Sequence, residues 1–167
     1  MKRIFVPAIV VVILDQLSKK WIDNNYFIGE SNEIIGSILK FTYVKNVGMA
    51  FGITVGPYGK IVTILSLVAT LIILQYLWSE RNNHNIVVFS LSIILGGALG
   101  NLIDRSLILF VDNYVGVTDF IDVGYGYYRW YIFNIADTSV TIGIILYFLH
   151  SADIFKKFND TLKNGNN

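Results

Sequence analysis

Apolar residues in this chain fall into long blocks. Four stand out, at residues 4–22, 61–78, 86–103 and 131–149. Each approaches the ~20 residues that a helix rising 1.5 Å per residue needs to cross a hydrocarbon core. The second and third blocks carry no charge, and the fourth carries one, Asp137. The first is short as an apolar run. It reaches full length only if the polar turn Asp15-Gln16-Leu17-Ser18-Lys19-Lys20-Trp21 is helical too. The segments at 23–59 and 104–130 read differently. They are rich in β-formers, at Phe41-Thr42-Tyr43-Val44 and from Tyr114 through Tyr128, and predict a small sheet fed by both.

The expected fold is therefore a membrane all-α bundle of four transmembrane helices with a small extracytoplasmic β-sheet. One domain covers 1–155, and a polar tail covers 156–167. An even number of spans puts both termini and the 79–85 loop on one side. Lys and Arg divide six to seven between the two sides, so positive charge gives no orientation. Lys2 and Arg3 before an apolar run resemble the start of a secretory signal. No small-x-small cleavage site follows, so the N-terminus reads as a retained first span.

Composition sharpens this picture. The chain has 167 residues, 54% hydrophobic and 15% charged, against about 25% charged in soluble domains; its mean hydropathy is +0.56. A net charge of +1 points away from nucleic acid. With no cysteine, disulfides, thiolate metal sites and cysteine nucleophiles are excluded. His84 and His150 are the only histidines, too few for a His-rich metal site and poor provision for a Ser-His-Asp triad. No cofactor is expected.

Ionisable residues in or beside a span are expensive and usually face a cavity or a partner. Asp137 is expected ~9 Å into the fourth helix, with Asn134 three positions earlier on its face. A polar patch satisfying a neighbouring helix is the plainer alternative. Asp119 reads by composition as a surface carboxylate, but the 119–131 stretch is short enough to bring it to the mouth of the helix bearing Asp137. Two carboxylates sharing a low-dielectric site cannot both ionise easily, so one holds a proton and the other stays charged, as aspartyl proteolysis needs. Asp122 competes with Asp119 for this role on the sequence alone. In the third block, Gly96 and Gly100 form a small-xxx-small pair suited to close helix packing. Asn101 and Arg105 share a helical face; Arg105 can pair with Asp104, a lipid phosphate or an active-site carboxylate, or simply snorkel. Asp15 and Lys19 are four apart, which is also the spacing of a plain intrahelical pair. Asn46-Val47-Gly48-Met49-Ala50-Phe51 is by itself a weak turn signal.

Together these segments resemble the lipoprotein signal peptidases, or signal peptidase II, over roughly residues 10–150. Asp15-Gln16-Leu17-Ser18-Lys19 is similar to the family's first motif, and Gly96 to Arg105 to its third-span motif. Val117 to Asp122 and Phe133-Asn134-Ile135-Ala136-Asp137 resemble the segments holding its two catalytic aspartates. The resemblance implies Asp119 and Asp137 as the catalytic dyad. It implies Asn46, Gly48, Asn101, Arg105, Asn134 and Ala136 as substrate-binding or dyad-supporting residues, with Asp15, Lys19 and Asp104 supporting the site. Val47 and Met49 depart from the family's usual run there.

The resemblance also implies a bacterial inner-membrane peptidase with cytoplasmic termini and a site near the outer leaflet; a monomer is expected. Its partners are membrane lipids and a prolipoprotein bearing a diacylglyceryl-cysteine. The alternatives by residue chemistry alone are a small proton- or ion-conducting transporter and a structural membrane subunit.

Overall fold

The computed structural model of the chain describes residues 2–46, 59–107, 110 and 116–152. A 3-10 turn at Lys2–Phe5 leads into α1 (Val6–Asn25). Pro7 lies in the first turn of α1, where a missing N–H breaks no helical bond. α2 (Gly59–Ser79), α3 (Asn85–Leu107) and α4 (Ile135–Ser151) follow. By length and composition α2 and α3 can each cross a membrane, and α4 is a shorter apolar helix. α1 carries four charges, Asp15, Lys19, Lys20 and Asp23, none of them in its first nine residues.

α3 lies between the other three helices and packs against each of them. The pair Gly96 and Gly100 is what lets α1 come close. A Cβ on Gly96 would lie 2.8 Å from Ala8 O, and one on Gly100 would lie 2.6 Å from Asp15 Oδ2. Ala8, Leu77, Val87, Leu91 and Leu95 fill one apolar cluster between α1, α2 and α3.

Three element boundaries differ from the sequence reading. α1 continues to Asn25. α3 runs on to Leu107, so Asp104 and Arg105 are helical rather than part of the outer segment. The fourth block does not become helical at residue 131. Phe133 instead pairs with Ile121 in a strand-like bridge, and α4 starts at Ile135. The cause is Asn134. Its side chain accepts from Asp137 N at 3.0 Å, while the Asp137 carboxylate accepts from Asn134 N at 3.3 Å. This reciprocal capping box fixes the helix start. Asp137 therefore sits in the first turn of α4, not ~9 Å into a helix.

The expected sheet is present as four strands: β1 (Ser31–Ile35), β2 (Leu39–Asn46), β3 (Val117–Tyr125) and β4 (Tyr128–Arg129). Their order is β1-β2-β3-β4, all antiparallel. Gly126 turns β3 into β4 at φ +57°, a left-handed conformation that costs glycine little. Tyr114, Val115 and the 156–167 tail lie outside the described residues. Ile22, Tyr43 and Phe120 form a second apolar cluster. It fastens β2 and β3 to the last turns of α1.

Candidate active site

β3 presents two acids three residues apart. A strand alternates its side chains, so an odd spacing sends them to opposite faces. Asp122 meets a cation: Arg129 Nε donates to it at 2.7 Å, and the Thr42 hydroxyl donates at 2.9 Å. Asp119 is 2% exposed and meets amides instead. Asn46 Nδ2 on β2 donates to its Oδ2 at 2.9 Å, and Asn134 Nδ2 donates to its Oδ1 at 2.6 Å. The β3–β4 hairpin has folded the chain back, and the Phe133–Ile121 bridge holds Asn134 beside Asp119.

Behind this pair lies a network joining three helices. Lys19 Nζ is buried between Asp15 at 2.8 Å and Asp104 at 2.7 Å. It also donates to Asn101 Oδ1 at 3.0 Å, and Asn134 Nδ2 donates to the same oxygen at 3.1 Å. With its oxygen so occupied, Asn101 can present only its NH2 elsewhere. That group donates to Asp137 Oδ1 at 2.8 Å. Asp15 Oδ1 accepts from the Ala136 backbone N–H at 2.9 Å, which ties α1 to the first turn of α4. Gln16 Nε2 closes the network, donating to Asp15, Asp104 and the Gly100 carbonyl.

The electrostatics divide the acids. Lys19 serves Asp15 and Asp104, while Asp119 has only amides within hydrogen-bond reach. Burial pushes the Asp119 carboxyl up to about 7, and the charge of Asp137 pushes the same way. The amides of Asn46 and Asn134 and the more distant Lys19 oppose this without cancelling it. Near neutral pH one buried acid can thus hold a proton beside a charged one. Asp137 is partly accessible, while Asp119 is buried. Among the described residues, no group of three or more His, Cys, Asp or Glu could hold a metal ion.

Comparison with known proteins gives the family of the chain. A family model described as signal peptidase (SPase) II matches residues 7–153. The chain belongs to the signal peptidase II family. A lipoprotein signal peptidase of Syntrophus aciditrophicus is 38% identical over 144 residues, covering 84% of this chain and 86% of its own. That of Clostridium tetani is 40% identical over 136 residues, covering 81% and 83%. A solved structure described as a bacterial membrane enzyme has a TM-score of 0.72 at 35% identity, covering 96% of this chain and 90% of its own.

Most residues expected from the likeness to signal peptidase II converge. Asp15, Lys19, Asn46, Asn101, Asp104, Asp119, Asn134, Ala136 and Asp137 form one connected set. Arg105 turns away from it. Its Nη1 donates to Ser66 Oγ on α2 at 3.1 Å, and its carbonyl accepts from Thr63 Oγ1 at 3.3 Å. Gly48, Val47 and Met49 lie outside the described residues.

Two features escaped the sequence reading. One is Gln16, visible as a polar residue in the first block but ordinary beside Asp15. The other is a clamp one residue from the site on two strands. Thr118 Oγ1 donates to Asp23 at 2.8 Å and accepts from Lys45 Nζ at 2.7 Å, while Lys45 pairs with Asp23 at 3.1 Å. Lys45 precedes Asn46, and Thr118 precedes Asp119. Burial and the nearby Asp23 push the Tyr43 hydroxyl above its usual range, so it stays protonated within this group. Nothing local in the sequence announces the clamp, because its three parts come from α1, β2 and β3.

Proposed function

We propose that the chain removes signal peptides from prolipoproteins by aspartyl chemistry, with Asp119 and Asp137 as the catalytic pair. The substrate carries diacylglycerol on a cysteine, and the cut falls just before that cysteine. The observation that carries this reading is the link through Asn134. Its NH2 donates to Asp119 while its oxygen accepts from the Asp137 backbone, so one side chain holds both acids.

The proposed chemistry follows from the division of charge. Asp119 is the acid that holds a proton near neutral pH, and Asp137 is the charged partner. Asp137 takes a proton from a water molecule as the water oxygen bonds to the scissile carbonyl carbon. Asp119 passes its proton to the carbonyl oxygen, giving a tetrahedral diol. Asp137 then protonates the leaving nitrogen, the C–N bond breaks, and a diol proton returns to Asp119. Each acid ends as it began. Asn101 and Asn134 fix the pair, and Lys19 fixes Asn101. Asp15, through Ala136, holds the turn bearing Asp137. Arg105 braces α3 against α2, and Gly48 is assigned to substrate binding or support of the dyad.

All four helices cross the bacterial inner membrane in this reading, with cytoplasmic termini and the site near the outer leaflet. Lengths and apolarity of α2 and α3, together with exposed Ile142, Ile145 and Phe148 on α4, support it. The substrate's lipid then fixes the depth of the scissile bond, so encounter becomes sliding in a plane with much of the orientation already set. The transporter reading lacks comparable support. The acids and amides within the helices close on one another, and the relatives above are named as peptidases.

The test uses purified protein in detergent and a diacylglyceryl-modified propeptide. Asp119→Asn and Asp137→Asn should each abolish cleavage while circular dichroism and thermal unfolding stay near wild type. Cleavage that survives in either variant sinks the dyad.

A further inference from the structure

At the opposite end of α3 from Asn101, a cavity of about 230 Å³ opens between the 3-10 turn, the start of α1, the α2–α3 turn and the start of α3. It lies roughly 24 Å from the acids, taking 1.5 Å per residue from Asn85 to Asn101. Arg3 and Arg81 line it, and Pro7, Val88 and Phe89 form an apolar wall. Arg81 is braced: Nη1 donates to Trp78 O at 2.7 Å, and the guanidinium lies 5.1 Å from the centre of the Trp78 ring. That leaves most of its five N–H donors for a ligand. The neighbouring acid, Glu80, is engaged by Asn83 Nδ2, while Asn83 Oδ1 accepts from His84 N. Among the described residues Arg3 forms no ion pair. The wall continues onto an open apolar flank, where Val6, Val10 and Phe89 are each about half exposed.

A cationic mouth joined to an apolar wall fits a molecule with an anion at one end and hydrocarbon at the other. We propose that this cavity binds the phosphate of an anionic phospholipid. Arg3 and Arg81 hold the phosphate oxygens, and Pro7, Val88 and Phe89 carry the start of the acyl chain. Basic pockets between spanning helices take lipid head groups in this way, and guanidinium groups match phosphate geometry. A zwitterionic head group brings its own cation and competes poorly for two guanidiniums. The inference rests on reading the helices as membrane-crossing. It needs nothing from the acids.

The experiment uses the full-length protein in detergent. Binding of phosphatidylglycerol, phosphatidylcholine and inorganic phosphate is followed by thermal unfolding and by native mass spectrometry. Phosphatidylglycerol should raise Tm above the phosphatidylcholine control. Arg3→Gln/Arg81→Gln should bind it at least about tenfold more weakly, in line with losing two charge-assisted contacts. Arg3→Lys/Arg81→Lys should keep part of the effect, which separates lost charge from lost folding. Equal binding by wild type and the Gln variant overturns the proposal, as does a Tm rise matched by phosphate alone. Peptide cleavage is assayed on the same samples and should be unchanged in the Gln variant. A wild type that binds lipid but does not cleave counts against the peptidase reading and leaves the cavity standing.

Discussion

Asp119 and Asp122 stand on one strand, both nearly buried, and the fold treats them in opposite ways. Asp122 receives a guanidinium and a hydroxyl, and its charge is spent joining β3 to β4 and β2. Asp119 receives two carboxamides and a carboxylate neighbour, and its proton is held up to about pH 7. The difference lies in what each acid is paired with, since residue type, strand and burial are shared. An acid given a cation becomes a strut. An acid given only amides and a rival charge keeps a proton it can exchange.

Substitution at both positions tests this comparison most severely. Asp119→Asn should lower kcat by about 10³-fold or more, the scale of a lost acid–base group, while Asp122→Asn should keep cleavage within about tenfold. A comparable loss in both would collapse the distinction. The next largest effect is expected in the network behind the pair. Lys19→Met strands Asp15 and Asp104 without their cation, and should destabilise the fold by about 3–5 kcal/mol in denaturant or thermal unfolding.

A smaller shift sharpens the electrostatics. Asn46 donates to the charged form of Asp119, so Asn46→Ala removes something that favours deprotonation. The Asp119 carboxyl then rises further, and the alkaline limb of the cleavage profile, near pH 7 in the wild type, should move up by about one pH unit. A downward move would reverse the assignment. The same group also sets a slope in stability. Its folded value lies above its unfolded one, so its contribution is present in acid and lost as pH rises through about 7.

The helices were legible because the bilayer imposes a long apolar block, and α2 and α3 match theirs within a few residues. α4 shows where that signal misleads. Tyr131, Ile132 and Phe133 continue the apolar block, but none of them is helical: Phe133 bridges to Ile121 of β3, and the Asn134 cap starts the helix after it. Residue chemistry alone leaves Asp119 and Asp122 open; the resemblance to signal peptidase II points to Asp119, and β3 shows what each acid meets. Residues 117–120 are buried on both faces, so no polar alternation marks which acid points where. Asn101 and Asn134 were flagged by spacing. The pairing of Lys19 with Asp104 and the Thr118 clamp were not, because residues distant in sequence meet there only after α1, α3 and the sheet have packed.

Gly100 carries one last consequence. It has no charge and touches neither Asp119 nor Asp137, but a methyl group there would press on Asp15 Oδ2 and on the Ala136 Cβ, 3.3 Å away. Asp15 is what fastens Ala136 N, and with it the turn bearing Asp137. If Asp137 is catalytic as proposed, its alignment depends on volume at a position that touches neither acid. A chain could keep every acid, amide and ammonium and still stand idle, out of alignment by the width of one carbon.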